Sequence, residues 1–481
     1  MKRNDLCTGA VERVDYPGKG ILTANGAVCE VKNVMPGQEI SFRVKKKKNG
    51  RWQGNLLDVL APSPLETRKP ACSLFPKCGG CMYQTMAYEE QLSMKYEQVK
   101  RLLMPALKTQ TGSEAAAESL FKGIDGSPSE FCYRNKMEFS FGDSEKDGPL
   151  TLGLHQKNRN YNILPVTDCA IVHPDFNVIV TAVQSFFRAS GNTYYHKMSH
   201  TGGLRSLLVR RTASTGEILT ALVASTQEKY DLEGFKNLIL GLPLEGKVIG
   251  ILFMENDSVA DVVQSQRTEI LYGRDTIREE MLGLSFEITP FSFFQTNTKG
   301  AEVLYQTAGR MIGDVDNATV FDLYSGTGTI AQMLSKAAGR VIGVEIVAEA
   351  VEAARRNASV NGITNCEFIA GDVLKVLDDI DVRPDFLVLD PPRDGIHPDA
   401  LSKIIAYQAD RIVYISCKPT SLARDLAAFL SGGYEVQEIR CVDMFPETVH
   451  IETVCCLYRQ KKDFISVPYE LKNADYLQQM N

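Results

Sequence analysis

The chain is 481 residues long, with 44% hydrophobic and 23% charged residues. That usage is ordinary for globular proteins and excludes wholesale disorder and fibrous architectures, while the length suggests about three domains. Residues 1–54 carry 11 Lys/Arg against 5 Asp/Glu, a local +6 that leaves −12 for the rest of a chain whose net charge is −6, so a basic module sits on an acidic body. The start, MKRNDLCTGAVERVDYP, lacks an apolar core of signal-peptide type, and no run of about 18 apolar residues occurs, so a cytoplasmic protein is expected.

The first sixty residues alternate short strand patterns with turn chemistry. Val11 to Val14, Gly20 to Thr23, Ala27 to Val31 and Glu39 to Val44 are separated by Pro17-Gly18, Asn25-Gly26 and Pro36-Gly37, which predicts a small β-barrel over 1–62. Lys45 to Lys48, Asn49-Gly50, Arg51 and Trp52 then read as a hairpin tip raising five cations and one aromatic ring. Such a tip suits contact with an RNA backbone; the alternative is a solvated lysine run that protects a sheet edge. The segment resembles a TRAM domain, an RNA-binding module of oligonucleotide-binding-fold type.

Pro62, Pro64 and Pro70 mark a linker, Tyr88 to Leu103 has helical periodicity, and Thr109 to Ser119 reads as a loose polar excursion. Residues 63–285 are expected to form a central α+β module, with strands at Met137 to Phe141, Leu207 to Arg211, Leu219 to Val223 and Val248 to Met254 and a helix near Phe176 to Phe187. Over 286–462 apolar strands alternate with helical stretches: Val320 to Leu323, Val341 to Glu345, Glu367 to Ala370, Phe386 to Leu389 and Ile412 to Ser416. This alternation predicts a doubly wound, Rossmann-like α/β sheet, making the whole a multidomain α/β chain. Residues 463–481 form a polar extension with no assigned role.

Asp322 to Thr329, DLYSGTGT, follows a strand and opens a helix, with glycines that let backbone approach a ligand closely. Glu345 ends the next strand, 23 residues on, where a carboxylate can accept from both hydroxyls of a ribose, and Gly371-Asp372 follows the third strand. The loop lacks the third glycine of the pyrophosphate fingerprint, so S-adenosylmethionine fits at least as well as NAD. Asp390-Pro391-Pro392-Arg393 follows the fourth strand, and Ser416-Cys417-Lys418-Pro419 ends the fifth, 27 residues after Asp390. The helix start and Lys418 are expected to favour the Cys417 thiolate. Further on, alternation puts His450 and Glu452 on one face at the head of the apolar strand Val454 to Tyr458.

A thiol and a carboxylate over one nucleotide-type pocket imply a definite chemistry. Thiolate addition at C6 of a pyrimidine makes C5 nucleophilic towards an S-methyl group, and a base then removes the C5 proton before elimination. Here the chain resembles the RNA uracil-C5 methyltransferase family, in particular the bacterial branch that modifies 23S ribosomal RNA. The resemblance spans nearly the whole chain: the barrel, a cysteine cluster, Tyr133-Arg134-Asn135-Lys136, Phe293-Phe294-Gln295-Thr296-Asn297, DLYSGTGT, DPPR, SCKPTSLARD and HIE. It implies that Gln295, Tyr324, Glu345 and Asp390 contact S-adenosylmethionine, that Cys417 is the nucleophile and that Glu452 is the base. One departure stands out: Lys418 occupies a position where the family usually has Asn.

Cys72, Cys78 and Cys81 place three thiols within ten residues around Gly79-Gly80. With twelve cysteines in a reducing compartment, metal binding is expected over disulfides. Spacing alone also admits tetrahedral zinc; the family resemblance adds Cys169 as fourth ligand and implies a [4Fe-4S] cluster that shapes the RNA-binding surface. The remaining cysteines, Cys455 and Cys456 included, read as core. Arg134, near Tyr133 and Phe131, either lines the path of an extruded base or forms a packed ion pair. The expected substrate is a loop or bulge of 23S rRNA, met by a monomer. The alternatives are a tRNA uridine, cytosine-C5 methylation, or a non-catalytic RNA-binding assembly factor.

Overall fold

The computed structural model describes residues 1–259 and 266–460; the extension expected at 463–481 lies outside the described residues. The N-terminal sheet has six strands in the order Leu6–Ala10, Glu39–Lys48, Arg51–Ala61, Ala27–Lys32, Lys19–Ala24 and Arg13–Asp15. Its strands alternate as a one-sided sheet must: Ile40, Phe42 and Val44 point inward onto Cys7, Leu22, Val31 and Val34, while Lys45 to Lys48 are exposed. It curls into a barrel-like form because Glu12 N–H donates to Ile21 O at 2.9 Å and Gly37 N–H to Val11 O at 2.7 Å. Asn49 and Gly50, at φ 49° and 75°, make the two-residue hairpin turn. The tip differs from the sequence expectation: Arg51 pairs with Asp15 at 3.3 Å and Trp52 is half-buried beside the barrel core, leaving the four lysines projecting.

The helix Tyr88–Thr111 outruns its expected end by two turns, through Pro105. The stretch read as loose forms the short helix Glu114–Ser119, whose first turn is capped by Ser113 Oγ accepting from Ala116 N–H at 3.2 Å.

The central sheet has seven strands, ordered Arg159–Pro165, Thr151–Gln156, Lys136–Gly142, Leu204–Arg211, Glu217–Ala224, Lys247–Glu255 and Arg267–Gly273. Strands such as Leu204–Arg211 are buried on both faces, which is why they read as continuous apolar runs rather than alternating ones. One face packs beneath the helices Pro174–Ser190 and Leu232–Leu240. From the other face, Leu208, Leu219, Ala221 and Met254 join a single core with Phe286, Leu304, Met311 and Val320 of the C-terminal half.

The last sheet has eight strands. Cys366–Ala370, Arg340–Glu345, Thr319–Leu323, Phe386–Leu389 and Arg411–Ser416 run parallel, and Glu452–Arg459 inserts antiparallel between Arg411–Ser416 and Tyr434–Val442. Strand order reverses at Thr319–Leu323, so a crevice opens at the carboxyl ends there. The far edge strand, Phe121–Asp125, pairs in parallel with Tyr434–Val442. Residues expected in the central module are thus shared between two sheets, because a strand near 121 can satisfy its ladder only against the exposed edge it meets in space. No helix of the described residues is long and apolar enough to cross a membrane.

Candidate active site

A cleft of about 1560 Å³ opens over the carboxyl ends of the parallel strands, and Gln295, Tyr324, Glu345, Asp390, Cys417 and Glu452 all line it. Its floor is the loop after Thr319–Leu323. Tyr324, Gly326 and Gly328 take φ values of 67°, 54° and 73°, and a Cβ on Gly328 would lie 2.6 Å from the Phe368 ring, so only glycine fits that position. Asp322 ties the loop down by accepting from Ala331 N–H at 2.9 Å. Glu345 accepts from Gly326 N–H at 3.0 Å and from Val347 N–H at 2.9 Å, which aims its half-buried carboxylate along the loop. Asp372 lines the same cleft and caps its helix through Leu374 N–H at 3.0 Å.

The two segments flagged as YRNK and FFQTN prove to be one construction. Asn135 donates from its side chain to Gln295 O and Thr298 Oγ1, both at 2.9 Å, and from its backbone to Thr296 O at 2.8 Å. Arg134 lines the cleft and donates to Lys136 O at 3.1 Å. Behind them the buried Arg210 donates to Pro290 O at 3.1 Å, holding the segment that carries Phe291 and Phe293 into the cleft.

Cys417 and Glu452 meet because of strand register. Ser416 pairs with Thr453 across the antiparallel ladder, which sets the next residue of one strand against the preceding residue of the other. Glu452 is 4% exposed. The loop leading to it is fixed by a buried ion pair: Lys95 donates to Asp443 Oδ1 at 2.8 Å and to Phe445 O at 3.2 Å.

Burial governs the electrostatics. It pushes the Glu452 carboxyl up to about 8, with Asp390 adding to the rise and Arg393 opposing it; the Asp390 carboxyl is pushed up to about 7 by burial alone. The Cys417 thiol is pushed up to about 12 by burial and then by the charges of Glu452 and Asp390, against the pull of Arg393. This corrects the expected thiolate: loss of hydration and two neighbouring carboxylates outweigh the helix start in the open cleft. His450 is pushed down to about 4, chiefly by burial, and is neutral at pH 7. Lys418 supplies no side-chain cap to the helix Pro419–Ser431.

Two residues at this centre escaped the sequence reading. Arg393 could have been suspected as the cation next to a stiff Asp-Pro-Pro turn. Tyr16 could not: it lies in the N-terminal barrel, 401 positions from Cys417, yet its hydroxyl donates to Cys417 O at 3.4 Å. It is buried in the C-terminal core, and Gly18 beside it approaches Val449.

Of the four cysteines expected to bind metal, Cys72 and Cys169 are buried and Cys78 and Cys81 half-buried. They are electrostatic neighbours: Cys81 feels Cys169 and Cys78, and Cys169 feels Cys72 and Cys78, with burial as the main cause pushing Cys81 and Cys169 up to about 12. Among the described residues no three His, Cys, Asp or Glu side chains are gathered closely enough to hold a metal ion. Neither the tetrahedral zinc site admitted on spacing nor the cluster site expected of Cys72, Cys78, Cys81 and Cys169 therefore has a preformed ligand group among them. Cys455 and Cys456 are core, as expected, whereas Cys132 is exposed and Cys366 half-buried, which corrects the core reading for those two.

A doubly wound sheet with an inserted antiparallel strand, a glycine loop and an acidic residue at the end of the second strand defines an S-adenosylmethionine-dependent methyltransferase. Residues 254–460 match the tRNA (Uracil-5-)-methyltransferase family model. An uncharacterized RNA methyltransferase from Clostridium tetani is 42% identical over 94% of this chain and 97% of its own length. One from Halalkalibacterium halodurans is 34% identical over 95% and 98%. The structure of the Pyrococcus abyssi tRNA (uracil-54, C5)-methyltransferase in complex with S-adenosyl-L-homocysteine is similar with a TM-score of 0.72 and 26% identity, covering 93% of this chain and 100% of that one. The chain belongs to the RNA (uracil-5-)-methyltransferase family, whose members transfer a methyl group from S-adenosylmethionine.

Proposed function

We propose that the protein methylates C5 of a uridine in 23S rRNA through a covalent bond between Cys417 and C6. The observation that carries this reading is that one cleft collects Cys417, Glu452, Asp390 and the glycine loop, with Cys417 set against Glu452 by strand register. Tyr324, Glu345, Asp390 and Gln295 hold S-adenosylmethionine, which when bound supplies an electrophilic methyl group. A cation beside Asp390 or Glu452 stabilises the ionised carboxylate, so the donor's sulfonium would favour ionisation of both carboxyls.

The Cys417 thiol proton passes to water in the open cleft as the sulfur bonds C6, and the C5–C6 π electrons pass into the enolate of the ring. C5 takes the methyl group as the carbon–sulfonium bond breaks. Glu452, whose carboxyl titrates near neutral pH, accepts the C5 proton, and the electron pair left behind expels the Cys417 thiolate. Tyr16 holds the nucleophile's carbonyl from the barrel side as a positioning residue. Phe293 and Phe445, which line the cleft, supply apolar surface for an extruded base.

The test is incubation with 5-fluorouridine-containing rRNA and S-adenosylmethionine. C5 then bears fluorine in place of hydrogen, so the adduct persists and migrates as a protein–RNA band. A parent protein without the band, or a Cys417→Ala variant that retains it, refutes the proposal. Methylcytosine as product would instead support the cytosine-C5 alternative.

A second reading, a tRNA uridine, is favoured by one observation. The similarity to the Pyrococcus tRNA enzyme covers 93% of this chain, too much for the first 61 residues to lie outside it, so the barrel does not by itself separate rRNA from tRNA enzymes. Maps of 5-methyluridine in rRNA and tRNA from cells with and without the protein decide between the two.

For Cys72, Cys78, Cys81 and Cys169 we propose a [4Fe-4S] cluster, as the family resemblance implies; that the four thiols are at least half-buried and feel one another electrostatically supports it. Lys157, which donates to Cys81 O at 3.3 Å, supplies positive charge beside the thiolates. Iron and acid-labile sulfide after anaerobic reconstitution test this, independently of activity; a product holding neither overturns it.

A further inference from the structure

A second cavity of about 350 Å³ lies on the central sheet, lined by residues that the reaction at Cys417 does not use. Six rings border it, Tyr161, Tyr194 and His196 among them. Tyr161 is 70% exposed, and Tyr194 and His196 stack with centroids 4.1 Å apart. Cations border it as well, from Lys146 and from Arg205, whose guanidinium lies 3.7 Å above the Tyr195 ring. The Arg205 guanidinium is held in place by donating to Ser258 O at 2.5 Å, while its Nε is buried and has no hydrogen-bond partner among the described residues. Two acidic residues stand on this wall: Asp143 is already engaged, accepting from the Tyr194 hydroxyl at 2.8 Å and from Asp147 N–H at 3.2 Å, and Glu138 is exposed.

We propose that this cavity takes up one nucleotide of the substrate RNA outside the methylated position. A base stacks against Tyr161 or the Tyr194–His196 pair, and its sugar-phosphate accepts from Arg205 and Lys146. The inference rests on the reading of the substrate as RNA. Four observations favour this occupant. The volume suits a single small ligand rather than a polymer segment. Exposed rings interleaved with cations form the platform that unpaired bases use. A buried guanidinium N–H without an acceptor calls for one from outside the chain. The strand Lys136–Gly142 also runs from the catalytic cleft to the cavity: Arg134, just before it, lines the first and Ser140 the second. Six residues at about 3.3 Å each put the two about 20 Å apart, within reach of one short single strand. The loop carrying Cys78 and Gly79 is hydrogen-bonded to the same wall, Gly79 N–H donating to His155 O at 3.1 Å, so the cysteine ligands brace the cavity.

The experiment measures binding of a fluorescein-labelled 20-nucleotide single-stranded RNA of mixed sequence by fluorescence anisotropy. The full-length parent is compared with Tyr161→Ala and Lys146→Ala, both at exposed positions. A lost stack weakens Tyr161→Ala about 5- to 100-fold, and Lys146→Ala lowers the slope of log affinity against log salt by about one. S-adenosylhomocysteine binding stays at the parent value in both, and photocrosslinking of the same RNA carrying 5-iodouridine labels the peptide that contains Tyr161 or Tyr194. Two variants that bind the RNA as tightly as the parent, with no crosslink in either peptide, overturn the proposal. Methyl transfer by the parent is scored separately: a parent that crosslinks at the cavity yet makes no 5-methyluridine sinks the catalytic reading and leaves the cavity standing.

Discussion

Glu452→Gln separates stability from catalysis. The Glu452 carboxyl is 4% exposed and is pushed up from 4.5 to about 8. A carboxyl whose native pKa lies above its unfolded value binds its proton more tightly when folded. Its effect on stability is therefore absent below about pH 4.5, grows unfavourable as the pH rises, and is complete above about 8. At about 1.36 kcal/mol per pH unit the full interval is worth about 5 kcal/mol, an upper bound because water entering the cleft relieves part of it. The isosteric amide has no proton to lose. The variant is therefore expected to melt within a degree or two of the parent at pH 5 and well above it at pH 9, by up to about 10–20 °C for a unit of this size. Thermal melts at half-unit pH intervals measure the gap. A gap that does not widen between pH 5 and pH 9 refutes the claim that burial holds Glu452 protonated. In the same variant methyl transfer to uridine-containing RNA is expected to stop after the methyl group arrives, so a covalent methylated adduct accumulates where the parent turns over.

With the cleft open, the Cys417 thiol pushed up to about 12 should be alkylated slowly by iodoacetamide at pH 7. Its rate should rise about tenfold per pH unit up to pH 10; a rate already level at pH 7 contradicts a protonated thiol. Lys418→Asn supplies the missing N-cap of the helix Pro419–Ser431 and is expected to stabilise by about 0.5–2 kcal/mol, seen as a higher melting temperature. Tyr16→Phe removes a hydrogen bond to the Cys417 carbonyl. It is expected to lower kcat about 3- to 10-fold with KM for RNA unchanged, and a rise in KM alone would argue against its positioning role. Gly328→Ala forces a Cβ to 2.6 Å from Phe368 at a φ of 73°; it should abolish S-adenosylhomocysteine binding in calorimetry while RNA binding by the full chain stays near the parent value.

Strand and helix placement was largely legible because burial patterns are local. Runs such as Leu204–Arg211 and the alternation of Glu39–Lys48 announce two-faced and one-faced burial residue by residue. The loop DLYSGTGT and the strand-end positions of Glu345, Asp390 and Cys417 could be read for the same reason: in a parallel sheet, the end of each strand points at one crevice. The misreadings have a common origin. Thr109 to Ser119 looked loose because its composition is small and polar, and its order comes from packing and a serine cap. The neighbours of Cys417 in sequence favour its thiolate, whereas the carboxylates that oppose it, Glu452 and Asp390, arrive from other strands.

The sequence by itself determined which residues could carry the chemistry and at which strand ends they stand, because side-chain periodicity and turn residues act over a few positions. Only the tertiary structure decided which of them meet and in what protonation state. Register across the Arg411–Ser416 and Glu452–Arg459 ladder sets Cys417 against Glu452, the barrel delivers Tyr16 to them, and the central sheet forms a second cavity from residues spread between Glu138 and Asn256. Contact and loss of hydration depend on the whole packed chain, and no local pattern encodes them.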